Sequence, residues 1–145
     1  MIRLRTTVMP ALVYLTLSTT TTLHAQVRQR PGMWESTITS HGKTVTRSSC
    51  VKPADAALTD GPEAMLRAKL EKAASEGGLC TIKNFKLDGN TLVYAMVCGK
   101  TTNLIETKFH GGDSQETTMT VATGGVTNVK QIKSRRTGDC KVGEQ

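Results

Sequence analysis

A chain of 145 residues with 37% apolar and 3% aromatic side chains can build one domain with its own core, but not an array of domains. A formal charge of +7 excludes the acidic, solvating class of sequence and favours anionic partners through long-range attraction. Charge speaks to partners and solubility rather than to fold.

Residues 1–25 read as a secretory signal peptide. Arg3 and Arg5 form a basic start, an apolar stretch runs from Val8 to Leu17, and Ala25 suits the position before a cleavage site. Leu23, two residues earlier, is larger than the residue usual there. The apolar run is about half the ~20 residues that a membrane-spanning helix needs, so no stable span is expected after cleavage. No cysteine follows the cut, which argues against a lipid anchor. Removal of Arg3 and Arg5 lowers the charge of +7 by two, and residues 26–145 form a single β-rich domain. The expected compartment is the periplasm, with release outside the cell as the alternative.

Short runs of Thr, Val and Ile between glycine turns predict strands through most of this domain. Met33–Ser40 and Lys43–Val51 flank a tight turn at His41-Gly42, with Trp34 anchoring the first strand in the core. Lys52–Leu58 suggests a short helical turn. A longer helix is predicted over 62–76: Pro62 and Glu63 suit its first turn, Leu66, Leu70 and Ala73 keep one stripe, and Gly77-Gly78 end it.

The next hairpin runs from Cys80 to Cys98. A three-residue loop at Asp88-Gly89-Asn90 would oppose Leu87 to Thr91, Phe85 to Val93, Asn84 to Tyr94, Ile82 to Met96 and Cys80 to Cys98. Directly opposed Cβ atoms lie close enough for a disulfide with modest adjustment. Four cysteines allow three connectivities. The register selects Cys80–Cys98 and leaves Cys50–Cys140 by elimination, a long loop whose closure contributes about 4 kcal/mol in the chain-entropy model. Such an even set of cysteines behind a signal peptide reads as a disulfide framework, and its spacing fits no zinc pattern. Asn103–Phe109, Ser114–Thr123 and Val126–Thr137 complete the strands. The expected fold is mainly β (α+β). It is an antiparallel meander of about seven strands, curled into a sheet or partial barrel, with the 62–76 helix covering one face.

Several short motifs carry a resemblance. Arg30-Pro31-Gly32-Met33-Trp34-Glu35 has the form RPGxWE, and Lys52-Pro53-Ala54-Asp55 follows Cys50. Cys80 opens a CxIxxFxxxGN stretch, and Arg136-Thr137-Gly138-Asp139-Cys140 has the form RxGDC. In this order they resemble a proteobacterial family of small exported proteins catalogued as a domain of unknown function. The resemblance spans about residues 30–140 and implies an envelope location and a β-rich fold. It implies no activity and transfers no functional residue.

Chemistry-bearing residues are sparse. His41 and His110 each sit beside a turn glycine, and a zinc site would need further converging ligands, so no metal is expected. There is no GxSxG elbow and no free thiol for a Cys–His pair, so no catalytic residue and no cofactor is expected. Glu35, Glu106 and Glu116 lie in alternating patterns that turn them to water, and they are the residues an enzyme of this chain would have to use. Lys130, Lys133, Arg135 and Arg136 form a basic run and are the candidate residues for an anion; the competing reading is edge-strand charge that discourages aggregation. Alternation turns Arg136 away from Lys133 and Arg135. Nucleic acid is disfavoured, because aromatics are not interleaved with the basic residues. Trp34, Leu66, Tyr94 and Met96 are the candidate cavity residues. The functional expectation is a non-enzymatic envelope binding protein for a small apolar or anionic ligand. Its alternative is a protein-interaction module, either accessory, chaperone-like or inhibitory, acting on an envelope protein through an exposed strand edge.

Overall fold

The computed structural model describes residues 27–141; the signal-peptide reading of residues 1–25 lies outside them. In chain order the elements are β1 (Gly32–Ser40), β2 (Lys43–Val51), α1 (Pro53–Asp60), α2 (Glu63–Glu76), β3 (Cys80–Asp88), β4 (Thr91–Cys98), β5 (Thr101–His110), β6 (Ser114–Thr123) and β7 (Val126–Gly138). One antiparallel seven-stranded sheet results, ordered β2-β1-β7-β6-β5-β4-β3. It is open, because β2 and β3 form its two edges and do not pair with each other. The strands β3 to β7 run as a meander. The β1–β2 hairpin joins it through β1 against β7, and the helices carry the chain from one edge to the other.

The predicted strands and the 62–76 helix appear with nearly the expected bounds. The Lys52–Leu58 turn is a full helix, α1, which starts with Pro53 where a missing N–H costs nothing. Its C-terminal end is tied down by the segment before β1. Arg28 Nη1 donates to the carbonyls of Thr59 (2.7 Å) and Gly61 (3.2 Å), while the backbone N–H groups of Arg28 and Gln29 donate to Asp60 Oδ1. A guanidinium there satisfies carbonyls that lack a partner within the helix and meets the negative end of its dipole.

The β3–β4 register departs from expectation at one end. Cys80 to Lys83 oppose Cys98 to Ala95 as predicted, but Leu87 opposes Leu92 and Asp88 opposes Thr91. The turn is therefore two residues, Gly89-Asn90, with Gly89 at φ 56° in the first central position, as a type II′ turn requires. A bulge between Lys83 and Lys86 takes up the difference. Asn84 sits there at φ 52°, a conformation asparagine tolerates better than most residues, and Phe85 turns into the core.

The core lies on one face of the sheet, beneath α2. Leu66 of α2 packs with Leu92 and Phe109, flanked by Leu70, Phe85, Leu87 and Tyr94. Trp34 is 2% exposed, and its indole N–H donates to the Arg30 carbonyl (3.0 Å). Both expected disulfides are present, Cys80–Cys98 across a directly opposed pair and Cys50–Cys140 over a separation of 90 residues.

The motifs at the two ends of the domain meet in space. Arg136 Nε donates to the Pro31 carbonyl (2.7 Å), Arg136 also pairs with Asp139, and Arg135 pairs with Glu35 (2.8 Å). A β-carbon on Gly32, at φ +137°, would stand 2.3 Å from the Gly138 carbonyl oxygen and 2.6 Å from Arg136 Nε. The chain leaving β7 crosses at that point to reach Cys50 on β2. Gly32→Ala should therefore destabilise by about 2 kcal/mol or more, from backbone strain and the clash together. A urea titration of the two proteins measures it; equal midpoints would mean that the crossing tolerates a side chain.

Candidate functional site

Directly opposed residues in an antiparallel sheet share a face, so the register sorts every strand side chain onto one of two surfaces. The helix-bearing face receives Trp34, Ile38, Val45, Leu92, Tyr94, Met96, Ile105, Phe109, Met119, Val121 and Ile132. Within it, one apolar row crosses six strands. Val45 opposes Ile38, Ile38 opposes Ile132, Met119 lies diagonal to Ile132, Met119 opposes Ile105, and Ile105 opposes Tyr94. Ile105 in the middle of the row is 4% exposed and Val45 at its edge is 53% exposed. Ile38, Met119, Ile132 and Tyr94 are half-buried. Burial raises the Tyr94 phenol above its ordinary value of 10.0, so it stays neutral and serves as part of this apolar surface.

The charges divide between the faces just as sharply. Every carboxylate on a strand (Glu35, Asp88, Glu106 and Glu116) lies on the outer face. The helix-bearing face carries Lys43, Arg47, Lys130 and Arg136 and no acid from any strand. Arg136 is occupied by Asp139 and the Pro31 carbonyl. Lys130 is half-buried, opposes Met119 and Ser40, and forms no ion pair among the described residues. Beside it, His41 Nε2 and Asn128 Oδ1 are hydrogen-bonded at 2.6 Å. At the other end of this face a cavity of about 170 Å³ lies between α2 and the sheet, with Leu66, Leu92, Phe109, Lys69 and Gln115 in its wall.

The predicted basic run is thus split. Lys130 and Arg136 point to the helix-bearing face, and Lys133 and Arg135 to the outer one. The edge-strand explanation for these charges does not hold, because β7 is paired on both sides. Three of the four instead form ion pairs: Lys133 with Glu116 (3.3 Å), Arg135 with Glu35 (2.8 Å), and Arg136 with Asp139. Of the candidate cavity residues, Trp34 is interior packing, Leu66 is buried and lines the cavity beneath α2, and Tyr94 and Met96 are half-buried on the face described. Sequence reading missed Lys130 as distinct from its neighbours. Alternation along β7 separates it from Lys133 and Arg135, but only the partner strands reveal that it has no acid opposite.

The outer face holds a second hollow, of about 320 Å³, where Glu35, Glu116, His110, Lys133 and Arg135 converge. Its acids are engaged by Arg135 and Lys133, and Glu106 pairs with Lys108 (3.2 Å). Its two ion pairs balance its charges and leave no excess for an ionic ligand. His41 and His110 sit at opposite ends of the sheet, in the β1–β2 turn and at the end of β5, so they cannot share a metal. No group of three His, Cys, Asp or Glu side chains suited to a metal exists among the described residues.

No helix among those residues is long and apolar enough to cross a membrane. Residues 29–140 match a family described as a protein of unknown function (DUF3617). No curated protein and no solved structure matches the chain.

Proposed function

Since the chain belongs to the DUF3617 family, whose description names no activity, we propose its function from the chemistry of its own sheet. It is a non-catalytic binding protein for a small amphipathic anion, an apolar body with one acidic head. The observation that carries this reading is the coincidence on one face of a six-strand apolar row with a half-buried ammonium that forms no ion pair among the described residues. An apolar body laid along Ile38, Ile132 and Met119 removes their exposed area from water at about 25 cal/mol per Å². Its head then reaches Lys130, whose charge has no carboxylate competing for it among the described residues. Two disulfides and no free cysteine suit an oxidising compartment, so we place this activity in the cell envelope.

A probe of the same chemistry, 1-anilinonaphthalene-8-sulfonate, tests the reading by fluorescence titration of the folded protein. Lys130→Glu is expected to weaken binding by about tenfold or more, and Ile132→Asp, which puts an acid in the apolar row beside Lys130, to weaken it similarly. Lys133→Glu, on the outer face, should leave it unchanged. Equal effects of Lys130→Glu and Lys133→Glu would show general charge attraction and sink the proposal, as would the absence of binding to the parent protein.

A further inference from the structure

The two edges of the sheet differ. Along β3, α2 packs close, Lys83 and Lys86 are exposed, and the bulge at Asn84 breaks the line of free backbone groups. The edge strand β2 has none of these interruptions. Its nine residues pair with β1 without a register shift, it contains no proline, and Lys43 to Ser49 are all exposed. The two-residue turn His41-Gly42 makes Ser40 and Lys43 a hydrogen-bonded pair. Alternation from that pair directs the N–H and C=O groups of Thr44, Thr46 and Ser48 away from β1, toward the free edge.

The side chains define what could be added there. Lys43, Val45 and Arg47 share the helix-bearing face, and β2 carries no acid. Full antiparallel overlap of two copies of β2 sets Arg47 against Arg47, so self-pairing in that register is opposed. We propose that the β2 edge receives an extended, acidic segment of a partner protein as an eighth strand. That segment has acids at positions i and i+4 to meet Arg47 and Lys43, and an apolar residue at i+2 to meet Val45. The backbone ladder supplies the contact and the alternate side chains supply the selectivity.

The test uses an N-acetylated, C-amidated heptapeptide, Thr-Glu-Thr-Val-Thr-Glu-Thr, titrated into the whole protein and followed by two-dimensional amide NMR. The expected shifts are concentrated at Thr44, Thr46 and Ser48, and a peptide with Lys in place of both Glu residues binds at least about tenfold more weakly. Thr46→Pro removes an outward N–H without touching the β1 ladder, and an edge strand tolerates proline in that orientation. It should abolish the shifts while the amides of β1 stay in place. The double variant Lys43→Glu with Arg47→Glu should reverse the preference to the lysine peptide. Equal binding of the two peptides, unchanged binding to Thr46→Pro, shifts on β3 instead, or no shifts at all would each overturn the proposal.

Discussion

Replacing Cys50 and Cys140 together by alanine is expected to cost about 4 kcal/mol of unfolding free energy, the larger loss of the two disulfides. The reason is loop length. This bond joins residues 90 apart, whereas Cys80–Cys98 spans 18 and should be worth about 3 kcal/mol on the same model. The short bond also duplicates information already held in the hairpin, since Cys80 and Cys98 face each other across paired strands. The long bond does not, because Cys140 lies beyond the last pairing of β7 and reaches a strand that β7 never touches. Urea unfolding of the two double variants measures both losses. With a slope of roughly 1–3 kcal/mol per molar, the Cys50/Cys140 variant should unfold some 2 M earlier than the parent. A smaller loss than that of the Cys80/Cys98 variant would mean that the salt links around Arg136 hold the C-terminal segment unaided.

Trp34→Ala should rank beside it, at about 3–5 kcal/mol. The side chain is 2% exposed, and it braces the segment before β1 by donating to the Arg30 carbonyl. That segment in turn carries Arg30, whose backbone N–H donates to the Gly112 carbonyl (2.8 Å) and whose guanidinium pairs with Asp113 (2.6 Å). Removing the indole thus leaves a cavity and loosens a strap across the β5–β6 turn. Trp34→Phe keeps most of the apolar area but loses the N–H donor, so about 1–2 kcal/mol is expected. Thermal unfolding by far-ultraviolet circular dichroism separates the two. Equal losses would place the whole effect in the hydrogen bond rather than in packing.

Much of this architecture was legible in the sequence because glycine turns and two-residue periodicity are local signals. His41-Gly42, the glycines after His110 and Gly124-Gly125 mark hairpins wherever the strands finally pair. The opposition of Cys80 and Cys98 followed from counting outward from a turn, and it survived an error in the turn itself. The loop is one residue shorter than counted, and the bulge at Asn84 restores the register before the cysteines are reached. A bulge has no reliable local signature, so only the pairing reveals it.

What could not be read was the neighbour of β7. A run of Lys and Arg near the end of a meander suggests an outer strand, yet β1 folds back beside it and makes it internal. That one long-range pairing decides that Arg135 meets Glu35 and that Lys130 meets no acid. The candidate site was therefore hidden in the topology, although each of its residues was in view. The pairing of RPGxWE with RxGDC was hidden for the same reason. Their contacts join residues about a hundred positions apart.

The adjacency of β1 and β7 also sets the order in which the molecule can assemble. Glu35 and Arg135 are separated by 100 residues, so the first strand of the domain to leave the ribosome has no neighbour but β2 until the last one emerges. Closing so long a loop costs chain entropy before any contact returns it, which places this topology among slow folders of high contact order. The β3–β7 meander can form from neighbours in sequence, while the β1–β2 hairpin must wait with its apolar face in water. A chain built in this way cannot complete its sheet until β7 is available to β1.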